Sequence, residues 1–267
     1  MEVGAVVLAG NNPYKTQRLG VTAEALLPIG GRPMVDWVVR ALQKTEAVRR
    51  LVIVGPPELA EYYRDKEAVI LVPAGSNVIE SARRGLTSLG NFPWVLFATA
   101  DIPLLTPAAI MDFLRRCALR EADFYYPIIR REDGERKYPG VKRTYVRVRD
   151  GTFTGGNLLL IRQELFDVCA ARSEKLIRAR KSPLALGRQI GFTFILRFLL
   201  HLVTVAEAES RISRLLGARG AGVICPYPEI GIDVDKEADL ELVRRVLVPE
   251  EEKPGGCSSG NPGGRQG

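Results

Sequence analysis

Short β-branched, apolar runs alternate with stretches of helical period through the first half of the chain. EVGAVVLA, RRLVIVG, AVILVP and PWVLFATA read as strands; PMVDWVVRALQK, a stretch near Glu58 to Arg64, NVIESARRGLTSL and TPAAIMDFLRRCAL read as the helices between and after them. In PMVDWVVRAL the residues Met34, Trp37, Val38, Ala41 and Leu42 recur at helical spacing and so share one face, and Pro33 stands in the first turn, where its missing N–H costs nothing. This alternation predicts βαβ units, hence an α/β fold on a largely parallel sheet.

After Asp123 the rhythm changes. DFYYPII and TYVRVRDGTFTGGNLLLI read as further strands, joined by the charged stretch REDGERKYPGVKR, which has no apolar period and is expected to be a mobile loop. From Gln163 to about Leu216 the pattern is helical. In the apolar stretch GFTFILRFLLHLV, residues 191–203, Thr193, Arg197 and His201 form a narrow polar stripe. Such a helix is expected to be buried against the domain or against a second subunit as a homodimer contact. AGVICPYP, GIDVD and a helix through Glu237 to Leu247 close the pattern. One domain over residues 1–248 is therefore expected, with a helical insertion at about 170–218, followed by a Gly/Pro/Ser-rich disordered tail, 249–267.

Composition narrows the chemistry. The single histidine, His201, lies among apolar neighbours and looks buried, which sets aside Ser/His/Asp triads, Cys/His pairs and histidine-rich metal sites. The four cysteines are far apart with no C-x-x-C, so a zinc ribbon is excluded and a reducing cytoplasm fits best. MEVGAVVLAG reads as a strand rather than a signal peptide, and the stretch 191–203 is shorter than the ~20 residues a membrane span needs. The net charge is +7, most of it between Arg130 and Arg149, where eight basic residues, Lys142 and Arg143 among them, stand against three acidic ones. A local basic field attracts phosphate. With few aromatics interleaved and no helix-turn-helix or RNA-binding signature, a small phosphorylated molecule is expected rather than nucleic acid.

Three places carry candidate chemistry. The first strand runs into a polar loop holding Gly10, Asn11, Lys15 and Arg18, at the strand ends where open α/β sheets bind ligands. Backbone N–H groups and basic side chains there suit a triphosphate, although an ordinary solvated turn explains the loop equally well, and neither G-x-G-x-x-G nor a P-loop is present. Asp101 ends the hydrophobic strand PWVLFATAD. Because Thr106 and Pro107 already supply the cap and first residue of the next helix, Asp101 is more simply a ligand for Mg²⁺, which takes one or two carboxylates plus substrate phosphates. Asp233 and Asp235 precede the last helix. Asp235 reads as the N-cap of a helix beginning at Lys236, whereas Asp233 has no capping duty and, if it faces Asp101, completes a metal clamp.

VVLAGN, QRLG, ALLPIGGRPMVDWVVRAL, ATADIPLLTPAAI and GIDVDKEADLELV occur in an order and spacing that resemble MobA-like NTP transferases, over roughly residues 1–247. That family is similar to the wider nucleotidyltransferase group of GT-A-type fold, which includes molybdenum-cofactor guanylyltransferases and sugar-phosphate nucleotidylyltransferases. The resemblance implies a three-layer αβα sandwich with a mainly parallel mixed sheet, and the Mg²⁺-dependent reaction of an NTP with a phosphorylated acceptor to give an NDP-linked product and pyrophosphate. It further implies catalytic roles for Lys15, Arg18 and Asp101, and metal ligation by Asp101 and Asp233. Nucleotide contacts would come from Leu8, Ala9, Gly10 and Asn11 and from Gly75, Ser76, Asn77 and Ser81, the latter group reading equally well as a plain helix start. Acceptor contacts would come from Lys142 and Arg143 and from Gly155, Gly156 and Asn157, where the glycines permit close backbone approach. Arg172, Lys175, Arg178, Arg180, Lys181 and Arg188 add a basic helical face. Two departures stand out: Asn11 replaces the family's second glycine, and Glu24 stands where a lysine is expected. Either Lys15 or Arg32 substitutes, or the site is altered and the chain is a nucleotide-binding scaffold. A GT-A glycosyltransferase is the more distant alternative, because TADIP offers one aspartate where D-x-D is usual.

Overall fold

The computed structural model describes residues 1–11, 16–17, 20–64, 69–179 and 189–248. Its centre is one mixed sheet in the order β5(Ile70–Pro73), β4(Val48–Gly55), β1(Val3–Leu8), β6(Trp94–Thr99), β10(Leu158–Arg162), β7(Phe124–Arg130), with β11(Gly220–Ile224) on the far side of β7. The first four strands run parallel, β10 is antiparallel to both its neighbours, and β11 is parallel to β7. β9(Gly151–Gly155) continues β10 along β7 after a bend at Gly156 and Asn157, and β8(Val146–Val148) pairs with β9.

The strand alternation sorts side chains into two cores. Ala5, Val7, Leu51, Ile53, Leu96 and Ala98 face α1(Met34–Gln43) and α4(Pro107–Ala118) in one cluster. Their alternate neighbours Val6, Val52, Val54, Val95 and Phe97 face α3(Val78–Leu89) and α6(Phe166–Ala179) in another. Helices on both faces of the sheet make the three-layer αβα sandwich. Gly85 matters here: a Cβ on it would lie 2.6 Å from a methyl of Val6, so only glycine lets α3 settle this close to β1. A third cluster, with Leu27, Ile29, Met34, Ile232, Val234 and Leu240, ties the Pro28–Pro33 hairpin and the last helix to the body.

Some sequence expectations are corrected. Arg131–Lys137 is not a loop but a short helix, α5, because its charges fall at pairing distance: Arg131 meets Glu135 at 2.6 Å and Arg136 meets Asp133. The stretch around Phe192–Leu199 does form a helix, α7, but it is not buried within the chain. Phe192, Leu196, Leu199, Leu200 and Leu202 are each more than half exposed. His201 is likewise exposed, at φ 58°, with Nδ1 3.2 Å from the Arg147 carbonyl. Among the described residues no helix is long and apolar enough to cross a membrane. Residues 249–267, Lys15, Arg18, Arg180, Lys181 and Arg188 lie outside the described residues. Cys117, Cys169 and Cys225 are separate, buried thiols, and burial pushes that of Cys225 up to about 12.

Candidate active site

A cleft of about 360 Å³ opens at the carboxyl ends of β1 and β6, bordered by Leu8, Gly10, Asn11, Glu24, Gly75, Ser76, Asn77, Ser81, Thr99 and Asp101. All the proposed nucleotide residues except Ala9 border it. Ala9 is buried beneath, its N–H bonded to the Val54 carbonyl at 2.7 Å.

Asn11, the unexpected residue of the first loop, has a structural task. Its Oδ1 accepts the Glu24 N–H at 3.2 Å and its Nδ2 donates to the Thr22 carbonyl at 3.4 Å, so it staples the first loop to the turn carrying Glu24. Glu24 is buried and borders the cleft. Of the two cations expected to stand in for the family's lysine, Arg32 lies against an aromatic ring: its guanidinium is 4.7 Å from the Trp37 ring centre. Lys15 lies outside the described residues.

The opposite wall is the turn into α3. Asn77 is the N-cap, accepting the Glu80 N–H at 2.9 Å, and the buried Ser81 hydroxyl accepts the Gly75 N–H at 2.9 Å. The Ser76 hydroxyl and N–H, with Arg84, hold the Glu80 carboxyl down to about 2. These side chains thus build the turn, and its rim is what they present to the cleft.

Asp101 follows β6, half-buried, and its carbonyl accepts the Val234 N–H at 2.9 Å. That bond brings the Ile232–Asp235 segment against the strand end. Carboxylate oxygens of Asp101, Asp233 and Asp235 consequently lie within 4.8 Å of one another. Burial and the two neighbouring carboxylates push the Asp233 carboxyl up, and the Arg143 guanidinium, ion-paired to it, pulls the other way. An all-oxygen donor set with excess negative charge fits a hard divalent cation such as Mg²⁺.

The structure also reverses the reading of Asp235. The last helix, α9(Glu237–Leu247), begins one residue later than the sequence suggests, with Lys236 at the N-cap position. The Asp239 carboxylate, not that of Asp235, accepts the backbone N–H groups, those of Asp235 and Lys236, each at 3.1 Å. Asp239→Ala should therefore cost about 1 kcal/mol in urea denaturation. Asp235→Ala should spare the cap.

Of the proposed acceptor residues, Arg143 reaches the carboxylates while Lys142 is exposed to solvent. Gly155 and Gly156 are required by the protein's own side chains. A Cβ on Gly155 would meet the Tyr126 hydroxyl at 2.5 Å, and one on Gly156 would meet Ile230 at 2.7 Å. Asn157 is held by its backbone, its N–H donating to Ile230 at 2.8 Å and its carbonyl accepting from Thr99 at 3.2 Å. Sequence reasoning missed Thr99 and the buried Glu229, which pairs with Lys137 and docks α5 onto the 228–231 turn. Strand alternation assigns Thr99 the face of Phe97, but nothing in the sequence says that the strand end borders a cleft or that Glu229 meets Lys137.

A family model described as the MobA-like NTP transferase domain matches residues 5–189. The chain belongs to that family. This MobA-like domain is 39% identical to a hypothetical transferase from Thermus thermophilus, covering 90% of this chain and 100% of that one at a TM-score of 0.79. It is 27% identical over 130 residues to the 2-C-methyl-D-erythritol 4-phosphate cytidylyltransferase of Frankia casuarinae, 48% of each chain. It spans about half the length of the curated relatives it matches. The fold is shared with 4-diphosphocytidyl-2C-methyl-D-erythritol synthase from Anaerococcus prevotii, at 12% identity and a TM-score of 0.58 over 92% of this chain and 96% of that one.

Proposed function

We propose that this nucleotidyltransferase joins an NTP to a phosphorylated small molecule in a Mg²⁺-dependent reaction. The observation that carries the reading is the convergence of Asp101, Asp233 and Asp235 beside the cleft at the end of β6. An oxygen of the acceptor phosphate attacks the α-phosphorus in line, and the bond from the α-phosphorus to the bridging oxygen breaks as pyrophosphate leaves. The protein's share is positioning and charge. The turn at Gly75–Asn77 borders the space for the base, the Gly10–Asn11 backbone offers N–H groups to the phosphates, and Arg143 neutralises charge on the acceptor side. The three carboxylates would hold Mg²⁺, which neutralises charge developing on the phosphate oxygens.

The test is a thermal-shift screen of the four common NTPs with and without Mg²⁺. CTP comes first, since the curated relatives are cytidylyltransferases. The expected result is a Mg²⁺-requiring stabilisation by one NTP, about 2.7 kcal/mol at 100 times its Kd. Stabilisation by none would favour a scaffold in which Glu24, on the cleft wall, has disabled the phosphate site.

A further inference from the structure

A second cavity, of about 380 Å³, adjoins the nucleotide cleft and shares Leu8, Val78 and Thr99 with it. It lies between α3 and α6 over the face of the sheet that carries Phe97, Leu159 and Ile161. A concave, apolar space of this size beside a candidate active site is large enough to take part of a ligand. Its lining is almost wholly apolar. Thr99, Tyr126, Asn157 and Ser173 are the only residues with hydroxyl or amide side chains among the described lining, and none of that lining is charged.

Tyr126 links this cavity to the chemistry. It is seated against Gly155 and lies within electrostatic reach of Arg143 and Asp233. A molecule with its phosphate beside the carboxylates and Arg143 would therefore extend the rest of its structure into this space. A polyol chain would bury hydroxyls there with too few partners, an arrangement that weakens binding. An alkyl, prenyl or aromatic group would shed water from an apolar wall and gain.

We propose that the acceptor is an amphipathic phosphate, whose apolar part fills the cavity between α3 and α6 while its phosphate faces the three aspartates. This rests on the nucleotidyltransferase reading for the second substrate, and assigns that substrate's class. It sets this chain apart from relatives whose named substrate is a polyol phosphate.

The experiment is a calorimetric binding series of butyl, hexyl and octyl phosphate, with glycerol 3-phosphate as the polyol probe, on the full chain. Affinity should rise about fourfold per added methylene until the cavity is full. Glycerol 3-phosphate should bind more weakly than hexyl phosphate. Ala170 lines this cavity and not the nucleotide cleft, so Ala170→Trp should abolish the chain-length dependence while leaving the NTP thermal shift in place. Should that variant fail to fold, the wild-type series still decides. Equal affinity across the series, or tighter binding of glycerol 3-phosphate, overturns the proposal. So does a chain-length dependence that survives in well-folded Ala170→Trp, since the chain then binds elsewhere. Chain-length dependence without any NTP shift would keep the cavity assignment and overturn the nucleotidyltransferase reading. An NTP shift without chain-length dependence would do the reverse.

Discussion

Asp101→Asn should lower kcat for pyrophosphate release by on the order of a hundred- to a thousandfold, the range seen when one preorganised charge-stabilising group is lost. The melting temperature should stay within about 2 °C of wild type, because exchanging a half-buried carboxylate for a carboxamide of the same shape opens no cavity. The structural ground is that the tie from Asp101 to the Ile232–Asp235 segment runs through its backbone. Its carbonyl receives the Val234 N–H, and that bond is indifferent to the side chain. Its carboxylate instead stands beside Asp233 and Asp235. Without a divalent cation the variant should be no less stable than wild type, since it removes a like charge that helps to push the Asp233 carboxyl up. The Mg²⁺-dependent part of the NTP thermal shift should disappear with the turnover. Near-normal turnover in Asp101→Asn would sink the metal assignment, and lost turnover with a large fall in melting temperature would make Asp101 a structural residue.

The sheet was legible because its information is local. Short continuous apolar runs such as VGAVVL and WVLFAT, bounded by polar turns, mark buried strands wherever they fall, and Thr106–Pro107 marks a helix start whatever surrounds it. Asp101 stands out in the sequence as a candidate for a related reason: Thr106 already holds the capping duty of the next helix. Asp235 was misread because Lys236 and Asp239 offer a rival start one residue later, and only the folded turn shows that Asp239 reaches back. The basic segment was misread as a loop because charge hides period. Its pairs, Arg131 with Glu135 and Arg136 with Asp133, become stabilising only once the helix exists. The meeting of Asp101 with Asp233 depends on a backbone bond between segments far apart in sequence, and no pattern within either segment encodes it. The second cavity is harder still to read, since it is the space left between α3 and α6 by residues that each look like ordinary core.

Phe113→Ala should be the most destabilising of these substitutions, by about 3–5 kcal/mol, which for a chain of this size lowers the melting temperature by roughly 6–20 °C. The ring is fully buried on α4, in the cluster that joins Leu96 and Ala98 of β6 to the helix following Asp101. Truncation leaves a void that close-packed neighbours such as Ile110 and Leu114 on the same helix cannot fill without shifting α4. Well below its melting temperature the variant should nonetheless keep the wild-type NTP preference and Mg²⁺ requirement, because the Ala100–Leu8 backbone bond of 3.1 Å and the Val234–Asp101 bond fix the strand end independently of that ring. The paired measurement is a thermal melt and an NTP titration at 10 °C on the same sample. A loss of NTP selectivity in folded protein would mean that α4 positions the cleft through the core, and that stability and chemistry in this domain are less separable than the placement of Asp101 at an open strand end suggests.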